Sequence, residues 1–332
     1  MTTPINTDSI SIVVQGRLDP NIAALCIRKL RQCFPGAEII ISTWEGSDTS
    51  GLDVDVVLFS PDPGAVLADE KEKTMNNVNR QLISTWAGLN VATRPYLLKT
   101  RTDILFENAD FLSFFGKYDG IPSSFLEHRL LICNYYTRNP RAMPLCFHPS
   151  DWIVFGTAAD VRKYYEAIPL MGEDEGAWFR THKKDAVVFT NYVCRYTPEQ
   201  HIFLHFLQSL QSVCCDCYYH RTPDLVSQTE RAFAECFVVL DFQKELAISF
   251  PKYNPNRYFE KHTLLSHRDW KVLYIHYCEN GISPQWTLYR IRGWICGIAA
   301  KVRRQCVLIL NRLGWKARLK TILTRGYIRF LP

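Results

Sequence analysis

Lys99, Arg101 and Asp103 alternate through the segment Tyr96-Leu97-Leu98-Lys99-Thr100-Arg101-Thr102-Asp103-Ile104-Leu105-Phe106. In extended backbone a period of two puts all three on one side. Charge at the end of an apolar strand is costly unless it meets a ligand, a metal or an opposite charge. Three more clusters have the same character: Gln15-Gly16-Arg17, Thr43-Trp44-Glu45 and Asp62-Pro63-Gly64. Each follows an apolar run, and in open α/β sheets ligands bind outside the carboxyl ends of strands. Gly16 lets a backbone approach a ligand closely. Arg17, Arg80, Lys99 and Arg101 suit a diphosphate, because guanidinium matches phosphate geometry. Asn77, Arg80 and Gln81 share one turn of the helix before the charged strand and can reach a nucleotide's base or phosphate. Asp103 is a candidate ligand for Mg²⁺ or Mn²⁺ through oxygen; its bland alternative is an ion pair with Arg101 or Lys99.

Four carboxylates are candidate general bases: Asp151, Asp174, Glu175 and Glu199. Asp151 precedes the apolar run Trp152-Ile153-Val154-Phe155, a site-like context. Glu199 lies in a first helical turn, where an acid also serves simply to complement the dipole. His148, beside Pro149-Ser150-Asp151, is a weaker metal candidate. Cys214-Cys215-Asp216-Cys217 lacks a second Cys or His pair at finger-like spacing, so it does not read as a zinc site.

The elements that must position these residues alternate strand and helix. Ile10–Val14, Glu38–Trp44, Val54–Phe59 and the segment from Tyr96 read as buried strands. Asp19-Pro20 opens a helix that stops at Pro35-Gly36, and a second helix spans about Asn76 to Asn90. Alternation of this kind implies an α/β fold, a parallel sheet with helices on its faces. Further on, Thr157 with Asp160 and Thr197-Pro198-Glu199-Gln200 read as helix starts.

The 332 residues carry a net charge of +6, but that charge is uneven. From Asn280 onward there are eleven Lys or Arg and no Asp or Glu, so the rest of the chain is acidic overall. In that tail Ile291, Ile295, Ile298, Val302, Cys306, Ile309 and Leu313 form an apolar stripe, with Arg292, Arg303, Arg304 and Arg312 off it. Either the helix packs on the core with a solvated basic face, or it lies on an anionic membrane surface. A long apolar stripe suits lipid or core better than nucleic acid. No secretory signal and no run of about 18 apolar residues is evident, and the cysteine spacing suggests reduced cytosolic thiols.

Taken in order, Val14-Gln15-Gly16, Ile41-Ser42-Thr43-Trp44-Glu45, Asp62-Pro63-Gly64, Asn76-Asn77-Val78-Asn79-Arg80-Gln81, Ser84-Thr85-Trp86-Ala87-Gly88-Leu89 and Lys99-Thr100-Arg101-Thr102-Asp103 resemble the WavE lipopolysaccharide-synthesis family. The resemblance covers roughly residues 9–280. It implies a glycosyltransferase of GT-A type, with a mixed sheet, a bacterial source, a nucleotide-diphosphate sugar donor, and a surface-glycan or lipid-linked glycan acceptor. Residues 1–125 would bind the donor and 126–280 the acceptor, with 281–332 a basic helical extension on the inner face of the cytoplasmic membrane. Gln15, Gly16, Arg17 and Thr43 would line the nucleoside pocket, and Asp103, Arg101, Lys99 and Arg80 would hold the diphosphate. Asp151 would orient or deprotonate the acceptor, with Glu199 as a second candidate. Arg101-Thr102-Asp103 occupies the place of the DxD motif, but Arg101 replaces its first acid. Either Asp103 holds the metal with another ligand, or Arg101 and Lys99 neutralise the leaving diphosphate without one.

Overall fold

The computed structural model describes residues 4–69, 74–143, 145–182, 194–252 and 261–312. Its strands are β1 (Ile10–Gln15), β2 (Glu38–Trp44), β3 (Val56–Ser60), β4 (Val66–Asp69), β5 (Thr74–Asn76), β6 (Tyr96–Arg101), β7 (Leu105–Phe106), β8 (Leu130–Cys133), β9 (Val154–Thr157), β10 (Phe237–Leu240) and β11 (Ile248–Ser249). Its α-helices are α1 (Pro20–Cys33), α2 (Val78–Val91), α3 (Ala158–Glu166), α4 (Glu173–Gly176), α5 (Trp178–Thr181), α6 (Pro198–Gln208), α7 (Pro223–Cys236), α8 (His267–Tyr277) and α9 (Trp286–Arg312).

Seven strands form one sheet in the order β10-β8-β9-β6-β1-β2-β3. β1, β2, β3 and β6 run parallel, β9 runs antiparallel to both β6 and β8, and β8 pairs parallel with β10. The sheet is therefore mixed, with β9 its reversed strand. Strands β1 and β2 read as continuous apolar runs because both their faces are covered, as parallel strands require. Chain order reverses around β1: β2 lies on one side and β6 on the other. That reversal is a switch point, where ligands bind at the carboxyl ends.

β6 is shorter than the sequence suggests. It ends at Arg101, and a turn carries Thr102 and Asp103 before β7. Lys99 and Arg101 do share a side of the strand, paired with Val13 and Gln15 of β1. Asp103 belongs to the turn, so the period-two row of three charges is two charges and a returning carboxylate.

Helix starts follow local chemistry. The Thr157 hydroxyl accepts from the Asp160 N–H at 3.1 Å, and Thr197 with Gln200 forms a full capping box. Asp19 occupies the N-cap of α1 but makes no capping bond; its carboxylate lies 3.7 Å from Lys252 instead. α2 approaches β1 closely at Gly88, where a Cβ would stand 2.2 Å from Val13 Cγ1. This approach brings the first turn of α2 to the sheet edge.

α9 docks through one face. Tyr289 is buried and its hydroxyl donates to Glu230 at 2.8 Å, and Glu230 also accepts from Arg141 and Tyr277. Gly293 and Gly297 pass close to Arg141. Leu288, Ile291, Trp294, Ile295, Ile298 and Val302 face outward and are exposed. The continuation of the stripe at Cys306, Ile309 and Leu313, and the side chains of Arg303, Arg304 and Arg312, lie outside the described residues. Among the described residues no helix is long and apolar enough to cross a membrane.

Candidate functional site

Because β1, β2, β3 and β6 are parallel and in register, their carboxyl ends share one edge. Gln15 pairs with Ser42 and Arg101, and Trp44 with Ser60. Between these ends and the first turn of α2 lies a cavity of about 710 Å³. Gln15, Gly16, Arg17, Asn77, Arg80, Gln81, Arg101 and Asp103 line it, together with Trp44, Glu45, Asp48, Asp62 and Lys252. Gly16 has φ +115°, a conformation other residues rarely adopt, and its N–H donates to the Ser42 carbonyl at 3.0 Å. Gln15 is held by Ser84 Oγ, 2.8 Å from its side-chain oxygen. Thr102 Oγ1 donates to the Arg17 carbonyl at 2.8 Å, which ties the β6 turn to the β1 turn.

The charges divide into spoken-for and open. Arg80 is clamped on Asp62 by two bonds of 2.7 Å and also donates to Asn77 at 2.9 Å. This partner holds Asp62 below the usual carboxylate range. Arg101 donates to both oxygens of Asp103, at 2.9 and 3.0 Å, and lies over the Trp152 ring at 4.4 Å. The Arg17 guanidinium, by contrast, meets no hydrogen-bonding or ion-pair partner among the described residues. Gln81 Oε1 is likewise an unpartnered acceptor among them. The first turn of α2 adds the positive end of the helix dipole, with the Val78 N–H capped by Asn76 Oδ1 at 2.9 Å.

Thr43 and Lys99 do not line the cavity. Thr43 is buried behind it, with Oγ1 3.1 Å from Ser47 Oγ. Lys99 is 1% exposed; it donates to the Asp151 carbonyl and lies 3.8 Å from the Asp151 carboxylate. Burial, more than Asp151 can offset, brings its ammonium down to about 8. Asp151 and Glu199 are thus brought together with Lys99 and His148 in a buried cluster one pleat behind the edge. His148 Nε2 lies 3.5 Å from Glu199. Burial first and the Asp151 charge second raise the Glu199 carboxyl. Burial, with the Arg138 charge, brings His148 down to about 3. Neither Asp151 nor Glu199 lines the cavity; Trp152, next in sequence to Asp151, stacks under Arg101, which does.

An Mg²⁺ or Mn²⁺ ion at Asp103 does not fit this donor set. Both of its oxygens already receive the Arg101 guanidinium, and no group of three metal-ligating side chains forms there among the described residues. An incoming divalent cation would meet a fixed positive charge at contact distance. One group of described residues does bring three possible metal ligands within 4.8 Å of one another: Glu175, His201 and His205. It lies away from the cavity, and none of the three lines it.

Two parts of this geometry were not read from the sequence. Lys252 reaches the cavity because β11 pairs antiparallel with β7, a contact across about 140 residues of chain with no local signature. The His201-x₃-His205 spacing was visible, but Glu175 joins it only through tertiary packing.

A nucleotide-sized polar cavity at a switch point, on a mixed sheet with a reversed strand, narrows the candidates but does not name one. The family model described as WavE lipopolysaccharide synthesis matches residues 10–306. The chain belongs to that family. The match spans every strand of the sheet and all of the cavity lining, and it runs into α9. No curated protein matches the chain.

Proposed function

We propose that this WavE-family protein is a glycosyltransferase that binds a nucleoside-diphosphate sugar in the 710 Å³ cavity and passes the sugar to a lipopolysaccharide or related surface-glycan acceptor. The carrying observation is the open cation: Arg17 faces a cavity beside a helix N-terminus while the other arginines there are already paired. A diphosphate supplies the anion that Arg17 lacks, and Lys252, 3.7 Å from Asp19, adds a second cation to the cavity. Gln81 Oε1 accepts from the nucleoside. Positive charge fixed at the diphosphate stabilises it as it leaves, with no metal in the step. Arg101 and Asp103 act as a rigid wall of the cavity. Asp151 and Glu199 are positioning residues that hold Lys99 and the Trp152 platform.

α9 supports a peripheral place on an anionic membrane surface, where lipid-linked acceptors reside. Its exposed stripe from Leu288 to Val302 adjoins a second, smaller cavity of about 180 Å³ lined by Arg141, Arg221, Arg290 and Lys301 with Trp294 and Ile298. Cations around an apolar wedge match a phosphate headgroup and its chain.

A second reading, a non-catalytic scaffold for glycan assembly on the same membrane face, draws on one observation: the candidate acids Asp151 and Glu199 lie off the cavity. Arg17→Ala separates the two. In cells making stable Arg17→Ala protein, the enzyme reading expects loss of the surface glycan; an unchanged glycan profile would favour the scaffold.

A further inference from the structure

We infer that Glu175, His201 and His205 form a site for one divalent ion of the zinc class, separate from the donor cavity. His201 and His205 are four apart on α6, so their rings share a face, with centroids 4.3 Å apart. Glu175 enters from α4, with its carboxylate 3.7 Å from His201 Nδ1.

The hydrogen bonds fix which nitrogens are free. His201 Nε2 lies 2.8 Å from the Pro169 carbonyl, and His205 Nδ1 lies 2.8 Å from the His201 carbonyl. A carbonyl only accepts, so each of those nitrogens carries its proton. Nδ1 of His201 and Nε2 of His205 are then lone pairs. His201 is fully buried, and its Nδ1 has no hydrogen-bond partner among the described residues. A buried lone pair facing a carboxylate is two acceptors without a donor, a costly arrangement that a cation between them resolves. A proton in that place would bury an imidazolium against a second histidine. Backbone carbonyls that lock the tautomers of metal-binding histidines are the usual support of such sites. Arg195 Nη1, 3.5 Å from the other oxygen of Glu175, leaves Oε2 for the ion.

Two imidazoles and one carboxylate suit Zn²⁺; Mg²⁺ and Ca²⁺ favour all-oxygen shells. The ion would cross-link α4 to α6. α4 packs against β4, where a Cβ on Gly176 would stand 2.3 Å from Val66 Cγ1. α6 carries Glu199 into the buried cluster. The bound ion therefore ties the β4–β5 hairpin to α6, with a water completing its fourth position.

The test uses the full-length protein, stripped with chelator and titrated with Zn²⁺ by calorimetry and with Co²⁺ by visible absorption. One equivalent is expected to bind and to raise the melting temperature, with no thiolate charge-transfer band from Co²⁺ and no rise from Mg²⁺. Glu175→Gln and His205→Gln, with folding checked by circular dichroism, are each expected to weaken binding by at least about tenfold. The Cys214→Ser, Cys217→Ser double variant is expected to bind as wild type does. Absence of saturable binding, a thiolate band in wild-type protein, or full affinity in the Glu175→Gln, His205→Gln double variant would overturn the assignment. The Co²⁺ spectrum of wild-type protein decides the ligand type even if a variant does not fold.

Discussion

At the scale of single residues, pairing decides which charges are available. Arg101 and Asp103 satisfy one another, as do Arg80 and Asp62, so the segment that stands out in the sequence forms a wall, and Arg17 is left facing the cavity. The sequence made all four arginine and lysine candidates look alike, because period and composition carry no information about partners across the fold. His148 gives a pH signature of the buried cluster. Its folded-state value, about 3, lies below the ordinary 6.5. The unfolded chain therefore binds the proton first, and the stability that the neutral ring contributes is present above pH 6.5 and lost as pH falls toward 3. In His148→Gln the drop in urea midpoint between pH 7 and pH 5 should be smaller than in wild type. An equal drop would mean that His148 is not held neutral.

At the scale of elements, the close approach of α2 to β1 sets the cavity's far wall. Gly88→Ala gains roughly 1 kcal/mol of helix propensity but forces a Cβ against Val13, and overpacking of this kind costs about 1–3 kcal/mol. A net loss in urea unfolding is expected, with recovery when Val13→Ala is added; additive losses would place the strain elsewhere. The strands and helices of this half were readable because buried parallel strands are continuous apolar runs and α1 and α2 have distinct stops. The end of β6 was not, since nothing local distinguishes a strand from the turn at Thr102-Asp103. The sequence left two readings of the tail helix: a stripe packed on the core, or one lying on a membrane surface. Tyr289 anchors α9 to Glu230, while the stripe from Leu288 to Val302 stays exposed. Full-length protein should float with anionic vesicles and less so with neutral ones, and Ile295→Glu should reduce flotation. Equal flotation of variant and wild type would remove the stripe from membrane contact.

At the scale of the whole molecule, one mixed sheet holds everything. Its switch point between β1 and β6 opens the cavity, its reversed strand β9 carries the Asp151 cluster up to Lys99, and its family membership ties it to lipopolysaccharide synthesis. The convergence of four strand ends was legible in the sequence because each ended in a polar cluster after an apolar run. The placing of Asp151 and Glu199 was not, because the antiparallel pairing of β9 with β6 carries Asp151 to Lys99 and the packing of α6 carries Glu199 to His148, and no spacing announces either. The most direct measurement is calorimetric titration of full-length protein with a panel of nucleoside-diphosphate sugars, with and without Mn²⁺. At least one should bind, with the same affinity in both conditions, and Arg17→Ala should weaken it by about 10- to 100-fold, the range expected for losing hydrogen bonds to a charged group. Binding of none, or binding that requires Mn²⁺ and ignores Arg17→Ala, would contradict a cavity in which Arg17 holds the diphosphate.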